Sequence, residues 1–255
     1  MKIDKARLFV STVAQDALET ALRHGLGLEI AEFCTAMNMD TNFDVWDNLV
    51  RTNIAGFDRV AFHAPFNELC PAAIDPKIHA IAFERYLQSA ELAHTYGARR
   101  MVVHSGYVPL VYFKGYFHER SVEFWKRVLA EIPEDMTLLL ENVLEDEPAL
   151  LAGIVAEVAD PRLRLCLDVG HANTIVSEMP MDEWITVSAP HIGHLHVHNN
   201  FRTWDDHNPP GDGLIDMHRA LTRLLAEIPA EATITLESIE SAPAAKWLQD
   251  NGYLA

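Results

Sequence analysis

The stretch Gly193–Gly213, GHLHVHNNFRTWDDHNPPGDG, alternates imidazole and apolar side chains at its start and then runs into an aspartate- and proline-rich loop. Successive side chains of a strand point to opposite faces, so over Ile192–His198 the histidines His194, His196 and His198 share one face. Leu195 and Val197 share the other. The apolar face predicts packing against a hydrophobic layer, and the imidazole face predicts a polar cavity. Histidines two apart lie roughly 7 Å apart at Cα, too far for all three to bind one ion but suited to successive layers of such a cavity. A lone histidine is most often structural. Three alternating ones followed by Asp205 and His207 favour a metal or catalytic cluster over a hydrogen-bonded histidine strand.

Outward from this strand, short β-rich runs alternate with amphipathic helical stretches to both ends of the chain. The expected strands are Leu8–Ser11, Leu28–Phe33, Arg59–Ala64, Met101–His104, Thr137–Asn142, Leu163–Asp168, Ile192–His198 and Ala232–Glu237. Helical spacing of Leu, Ala, Ile and Val marks Asp16–His24, His79–Tyr96, Ser121–Glu131, Pro148–Ala159 and Met217–Glu227, with Gly25, Gly97 and Asp75-Pro76 as end punctuation. No linker or repeat divides the chain, so residues 1–255 are expected to form one domain. Eight strands in strict alternation favour a single (β/α)8 TIM barrel over an open doubly wound sheet. The absence of GxGxxG and Walker patterns removes the main nucleotide-binding alternatives.

Active residues of such a barrel sit at the C-terminal ends of its strands. Strand three ends in His63 of FHAPF, strand four in His104 of VVHSG, and strand five in Glu141 of LLLEN. Strand six ends in Asp168 and His171 of LCLDVGH, strand seven in His196 and His198, and strand eight in Glu237 of ITLES. One charged strand end is commonplace and is usually solvated. Six in succession around one barrel mouth imply a shared cation, because burying carboxylates and imidazoles together is otherwise costly.

LLLEN, LDVGH, GHLHV and TLES together resemble the xylose isomerase-like barrel superfamily, across essentially the whole chain and in motif order. That superfamily includes sugar isomerases and epimerases and the endonuclease IV type of apurinic endonuclease. Resemblance to its tagatose and psicose epimerase branch implies one divalent ion, Mn²⁺, Mg²⁺ or Co²⁺, held by Glu141, Asp168, His196 and Glu237. It also implies substrate contacts at His171, Arg202 and Glu147, although Glu147 fits equally the role of a helix-start acid before Pro148. Resemblance to the endonuclease branch implies three Zn²⁺ ions, with His63, His104, Glu141, Asp168, His171, His196, Asp205, His207 and Glu237 on ligand positions. His63 and His104 fit equally as histidines that support ligands or bind substrate. The metal count stays open.

Composition narrows the choice. Twenty Lys and Arg stand against 37 Asp and Glu, a formal charge of −17 that repels a phosphate backbone, and long nucleic acid is a poor partner. Arg202 is the only Arg or Lys between Arg164 and Arg219. With 49% hydrophobic residues and no long apolar run, neither membrane association nor disorder is expected. The N-terminal MKIDKARLFVS reads as the approach to a strand, not a signal peptide. Cys34, Cys70 and Cys166 are odd in number and widely spaced, which suggests a reduced, cytoplasmic protein.

The resulting expectation is a metal-dependent isomerase or epimerase of a small sugar or sugar phosphate. In the resembling family Glu141 and Glu237 would both bind the ion and move the proton through an enediolate. The loop GYVPLVYFKGYF, with Tyr107, Tyr112, Phe113, Tyr116 and Phe117, fits a lid over a sugar face or an interface patch. The alternative is a di- or trinuclear phosphoesterase; a barrel that binds without turnover ranks last. Sugar identity and oligomeric state do not follow from these residues.

Overall fold

The computed structural model describes residues 2–254 and forms a closed parallel barrel in which β1 to β8 pair in chain order and β8 returns to β1. The strands are β1 (Leu8–Ser11), β2 (Gly27–Ile30), β3 (Val60–His63), β4 (Arg100–His104), β5 (Thr137–Glu141), β6 (Leu163–Asp168), β7 (Ile192–Val197) and β8 (Thr233–Leu236). Helices cover their outer faces, so almost every strand residue is buried and the strands read as near-continuous apolar runs. Alternation divides each strand. Leu138 and Leu140, Leu165 and Leu167, and Leu195 and Val197 belong to the main core that includes the helices, whereas Val102, Leu139 and Cys166 form a separate small apolar cluster.

The same parity points the strand-end polar residues into the barrel. Register then fixes their neighbours, pairing His104 with Glu141 across β4 and β5, and Asp168 with His196 across β6 and β7. A one-residue slip in either pair would turn these groups out toward the helices.

The helices are α1 (Ala17–His24), α2 (Met37–Asp40), α3 (Phe43–Ile54), α4 (Pro76–Thr95), α5 (Lys114–Glu131), α6 (Ala149–Val158), α7 (Met181–Ser188), α8 (Met217–Glu227) and α9 (Ser241–Asp250). Helix α1 stops where Gly25 takes a left-handed conformation, φ 69°, that a side chain would strain. Helix α4 starts at Pro76 rather than His79, because the Asp75 side chain accepts the Lys77 N–H at 2.7 Å and proline suits a first helical turn. Helix α5 starts seven residues before Ser121. Its first turns contain glycine and aromatic residues of poor helix propensity, but buried Phe117 anchors them against Tyr107, ring centroids 5.0 Å apart.

Helices α2, α3, α7 and α9 lie outside the five stretches marked by sequence, although the periodicity of α3 and α9 is present there. Phe43, Trp46, Val50 and Ile54 in α3, and Ser241, Ala244, Ala245 and Leu248 in α9, recur at three- and four-residue spacing and face the core. Among the described residues, no helix is long and apolar enough to cross a membrane, and all three cysteines are free.

Candidate metal centre

Glu141, Asp168, His196 and Glu237 come together at the floor of the barrel mouth, with ligand atoms within 4.8 Å of one another. His196 Nδ1 lies 3.0 Å from Glu141 Oε1, 3.0 Å from Glu237 Oε2 and 3.7 Å from Asp168 Oδ2. Its other nitrogen faces the barrel interior. There Nε2 sits 3.0 Å from Glu29 Oε1, without good hydrogen-bond geometry, and neither atom has another partner. Glu29 is fully buried on β2; its Oε2 lies 3.2 Å from His194 Nε2 and accepts the Thr235 hydroxyl at 2.7 Å. His194 thus belongs to a polar layer beneath the tetrad, also bonded to Thr233 Oγ1 at 2.6 Å.

Beside the tetrad, His63 and His104 direct Nε2 at Glu141 Oε2, at 3.4 and 3.2 Å. Above it, His171 and His207 each place Nε2 3.0 Å from Asp205 Oδ2. His198, whose role the sequence leaves unassigned, joins this outer group: its Nε2 is 3.0 Å from Asp168 and its ring stacks on His207, centroids 3.9 Å apart. Gly170 makes room for that ring. A Cβ there would fall 1.9 Å from His198 Cε1.

One pattern recurs in three of these histidines. His63 Nδ1 is 2.8 Å from the Ala64 carbonyl, His171 Nδ1 is 2.9 Å from that of Asn142, and His207 Nδ1 is 2.8 Å from that of Glu237. A carbonyl only accepts, so Nδ1 carries the proton in each. The Nε2 lone pair of a neutral ring then faces a carboxylate oxygen, acceptor against acceptor. Such an arrangement needs a proton or a metal ion between the two atoms, and backbone-anchored imidazoles are the usual form of metal ligands. Glu141 Oε2 and Asp205 Oδ1, both buried atoms, have no hydrogen-bond donor among the described residues. Leaving each so costs about 1–3 kcal/mol, more for a charge, and a divalent cation would relieve it. The donor set therefore fits a metal.

Electrostatics agree. Burial works to raise the Glu141 carboxyl, but the His196 and His104 imidazoles hold it well below the usual carboxylate range. Burial likewise opposes Asp168, which His171 and His198 draw down. His207 is pushed up to about 9 against its burial by Asp205 and Glu237, and His171 is raised well above its ordinary value against its burial by Asp168, Asp205 and Glu141. The protons on these rings occupy the place a metal would take, so metal loading would release them.

A cavity of about 280 Å³ opens above the tetrad. Its floor carries Glu141, His171, His207 and Glu237, and Val13, Ala31, Phe66 and Val143 form an apolar wall. Two expected substrate contacts are not brought into it. The Glu147 carboxylate points outward and is held by Lys114 at 2.7 Å. Exposed Arg202 donates to the Ser177 carbonyl at 3.3 Å. The buried glutamate of that loop is instead Glu145, which accepts the Ser105 hydroxyl and the Val143 N–H, the latter at 2.7 Å. Of the lid aromatics, Tyr107 and Phe117 are buried, Phe113 and Tyr116 are exposed, and only Tyr112 reaches a cavity near the site.

Comparison with known proteins agrees with this architecture. A family model described as xylose isomerase-like TIM barrel matches residues 26–254. The uncharacterized protein MJ1311 of Methanocaldococcus jannaschii is 29% identical over 189 residues, 70% of this chain and 64% of that protein; the chain thus spans less than two thirds of that relative's length. Among solved structures, the TTHB071 protein from Thermus thermophilus, soaked with ZnCl2, superposes with a TM-score of 0.75 at 25% identity, covering 97% of this chain and 98% of that one. A D-tagatose 3-epimerase-like protein shares the fold with a TM-score of 0.75 at 22% identity and 96% coverage of both chains.

Proposed function

The chain belongs to the xylose isomerase-like TIM-barrel family, and from that premise we propose that it is a divalent-metal-dependent isomerase or epimerase of a small sugar. The observation that carries this reading is the tetrad Glu141, Asp168, His196 and Glu237, buried at the floor of a cavity of about 280 Å³. Three carboxylates and one imidazole suit Mn²⁺, Mg²⁺ or Co²⁺. A divalent ion held there would supply Lewis acidity toward neighbouring carbonyl and hydroxyl oxygens of the sugar. Glu141 and Glu237 reach the tetrad from β5 and from the end of β8, and both line the cavity. In this assignment one takes the proton from the carbon beside the carbonyl and the other returns it. His171 orients a sugar oxygen, and the wall of Val13, Phe66 and Val143 excludes water from the exchanging proton.

The test is proton exchange. Protein loaded with Mn²⁺ is incubated in D2O with a panel of ketoses and aldoses, and deuterium incorporation at carbon is followed by NMR. Incorporation by the wild type and its loss in Glu237→Gln supports the assignment; absence of exchange with every sugar overturns it.

The outer group supports a second reading, hydrolysis of a small phosphoester by two or three ions. Asp205 and His207 are unnecessary for a one-ion isomerase, yet both are aimed as ligands beside His171. Cleavage of bis(4-nitrophenyl) phosphate without sugar exchange would favour it.

A further inference from the structure

A second cavity, of about 320 Å³, adjoins the reaction cavity between the loops that follow β3 and β4. Phe66, His104 and Val143 line both cavities. The Phe66 and His104 rings stack with centroids 4.4 Å apart and planes 14° apart, so this pair forms the junction. Beyond it the walls are Leu69, Cys70, Val108, Val111, Tyr112 and Leu144. Asn67 and Glu68 add polar lining there, and Glu68 is a carboxylate. Neither cavity is lined by a lysine or an arginine. Lys114, the basic residue nearest in sequence to the β4 loop, is taken up by Asp146 and Glu147. Val108, Val111 and Leu144 nevertheless remain open to solvent, at 41%, 64% and 37% exposure. Apolar side chains around a concave, water-facing annex gain when an apolar group covers them, at about 25 cal/mol per Å². A phosphate in the same place would meet no cation and one carboxylate.

We propose that this annex is a subsite for an uncharged apolar group on the substrate, remote from the reacting carbonyl, and that the enzyme selects against phosphorylated sugars. The occupant is a part of the substrate itself because the annex shares its wall with the reaction cavity and opens beside His104. This inference rests on the tetrad cavity being the reaction site.

Isothermal titration of the Mn²⁺-loaded protein with D-fructose, 6-O-benzyl-D-fructose and D-fructose 6-phosphate tests it. The benzyl ether is expected to bind at least tenfold more tightly than fructose, and the phosphate no more tightly than fructose. Leu144→Asp and Val111→Asp, at exposed positions that line the annex and not the reaction cavity, remove the benzyl advantage while metal content and circular dichroism stay unchanged. Equal affinity for all three sugars, a preference for the phosphate, or an advantage that survives both substitutions overturns the proposal. The neutral probe N-phenyl-1-naphthylamine reports on the annex alone. Saturable fluorescence lost in Leu144→Asp but kept in Trp204→Asp, at an exposed aromatic outside the annex lining, places an apolar site there even if sugar exchange fails; fluorescence indifferent to Leu144→Asp removes the site even if exchange succeeds.

Discussion

Glu141, Asp168 and His196 are carried on the strands themselves and Glu237 on the residue that follows β8, with side chains 10% exposed or less. Asp205 and His207 stand instead in the long loop between β7 and α8, 34% and 24% exposed. Strand register holds the first set whether or not a cation is present, because the ladder hydrogen bonds do not depend on it. The second set is held by its side-chain contacts to His171, His198 and the Glu237 carbonyl and by two backbone anchors beside His207, the Asn199–Asn208 bridge and the Ile239 N–H donated to the His207 carbonyl at 3.0 Å. Preorganised, buried donors lose little freedom on binding, whereas partly exposed loop side chains lose more. We therefore propose the inner set as the tighter metal site and the outer set as the weaker.

The comparison breaks most visibly at Glu237. Glu237→Gln keeps an oxygen for the ion but removes a proton carrier, and turnover is expected to fall about 10²–10⁴-fold with metal content unchanged. Equal loss of metal and activity would make this residue only a ligand. Next, chelation removes a bound ligand that, at about 100 times its dissociation constant, contributes about 2.7 kcal/mol. For a chain of this size that lowers the melting temperature by about 5–10 °C, as scanning calorimetry would show. Glu29→Gln tests the layer beneath. Among the described residues Glu29 is the one carboxylate within 4.0 Å of His196 Nε2, so it is placed to keep Nδ1 turned toward the tetrad. Its loss should weaken metal affinity about 10–100-fold, measured by competition with a fluorescent chelator, and Glu29→Asp should recover part of it.

The smallest effect lies in the loops above. Burial pushes the Glu145 carboxyl up to about 7, against its bonds from Ser105 and Val143. Its folded value exceeds its unfolded one, so the stability it contributes is complete below the ordinary carboxylate range and is lost as pH rises through 7. Glu145→Gln removes the charge; its amide oxygen can still accept the Val143 N–H, and its NH2 can donate to the Ser105 hydroxyl oxygen in place of the bond that the carboxylate accepted. It should raise stability at pH 8 by about 1–2 kcal/mol and flatten the decline between pH 5 and 8 in urea titrations.

The barrel and the convergence of its strand-end polar residues are legible in the sequence because both follow from local rules, whereas the choice of four of them as one donor set rests on the family resemblance. Apolar runs ending in a charge mark the strands, and parity sets which side chains turn inward. Residues whose role depends on a distant partner are not legible. Glu29 sits in GLEI as an unremarkable polar residue, and its partner His194 lies 165 positions away. In the loops, spacing misleads. Counting six from Glu141 reaches Glu147, yet the chain turns so that Glu145 is buried and Glu147 meets Lys114. Arg202 is likewise turned toward Ser177 at a backbone φ of 73° that no side-chain pattern announces.

Metal stoichiometry tests the distinction between the two donor sets most directly. Protein freed of metal, reloaded with Mn²⁺ and passed through a desalting column is assayed by mass spectrometry of the metal, in the wild type and in His207→Ala. One tightly held equivalent per chain in both is the predicted result. Three equivalents in the wild type, falling in His207→Ala, would contradict it and transfer the chemistry to a multinuclear hydrolase.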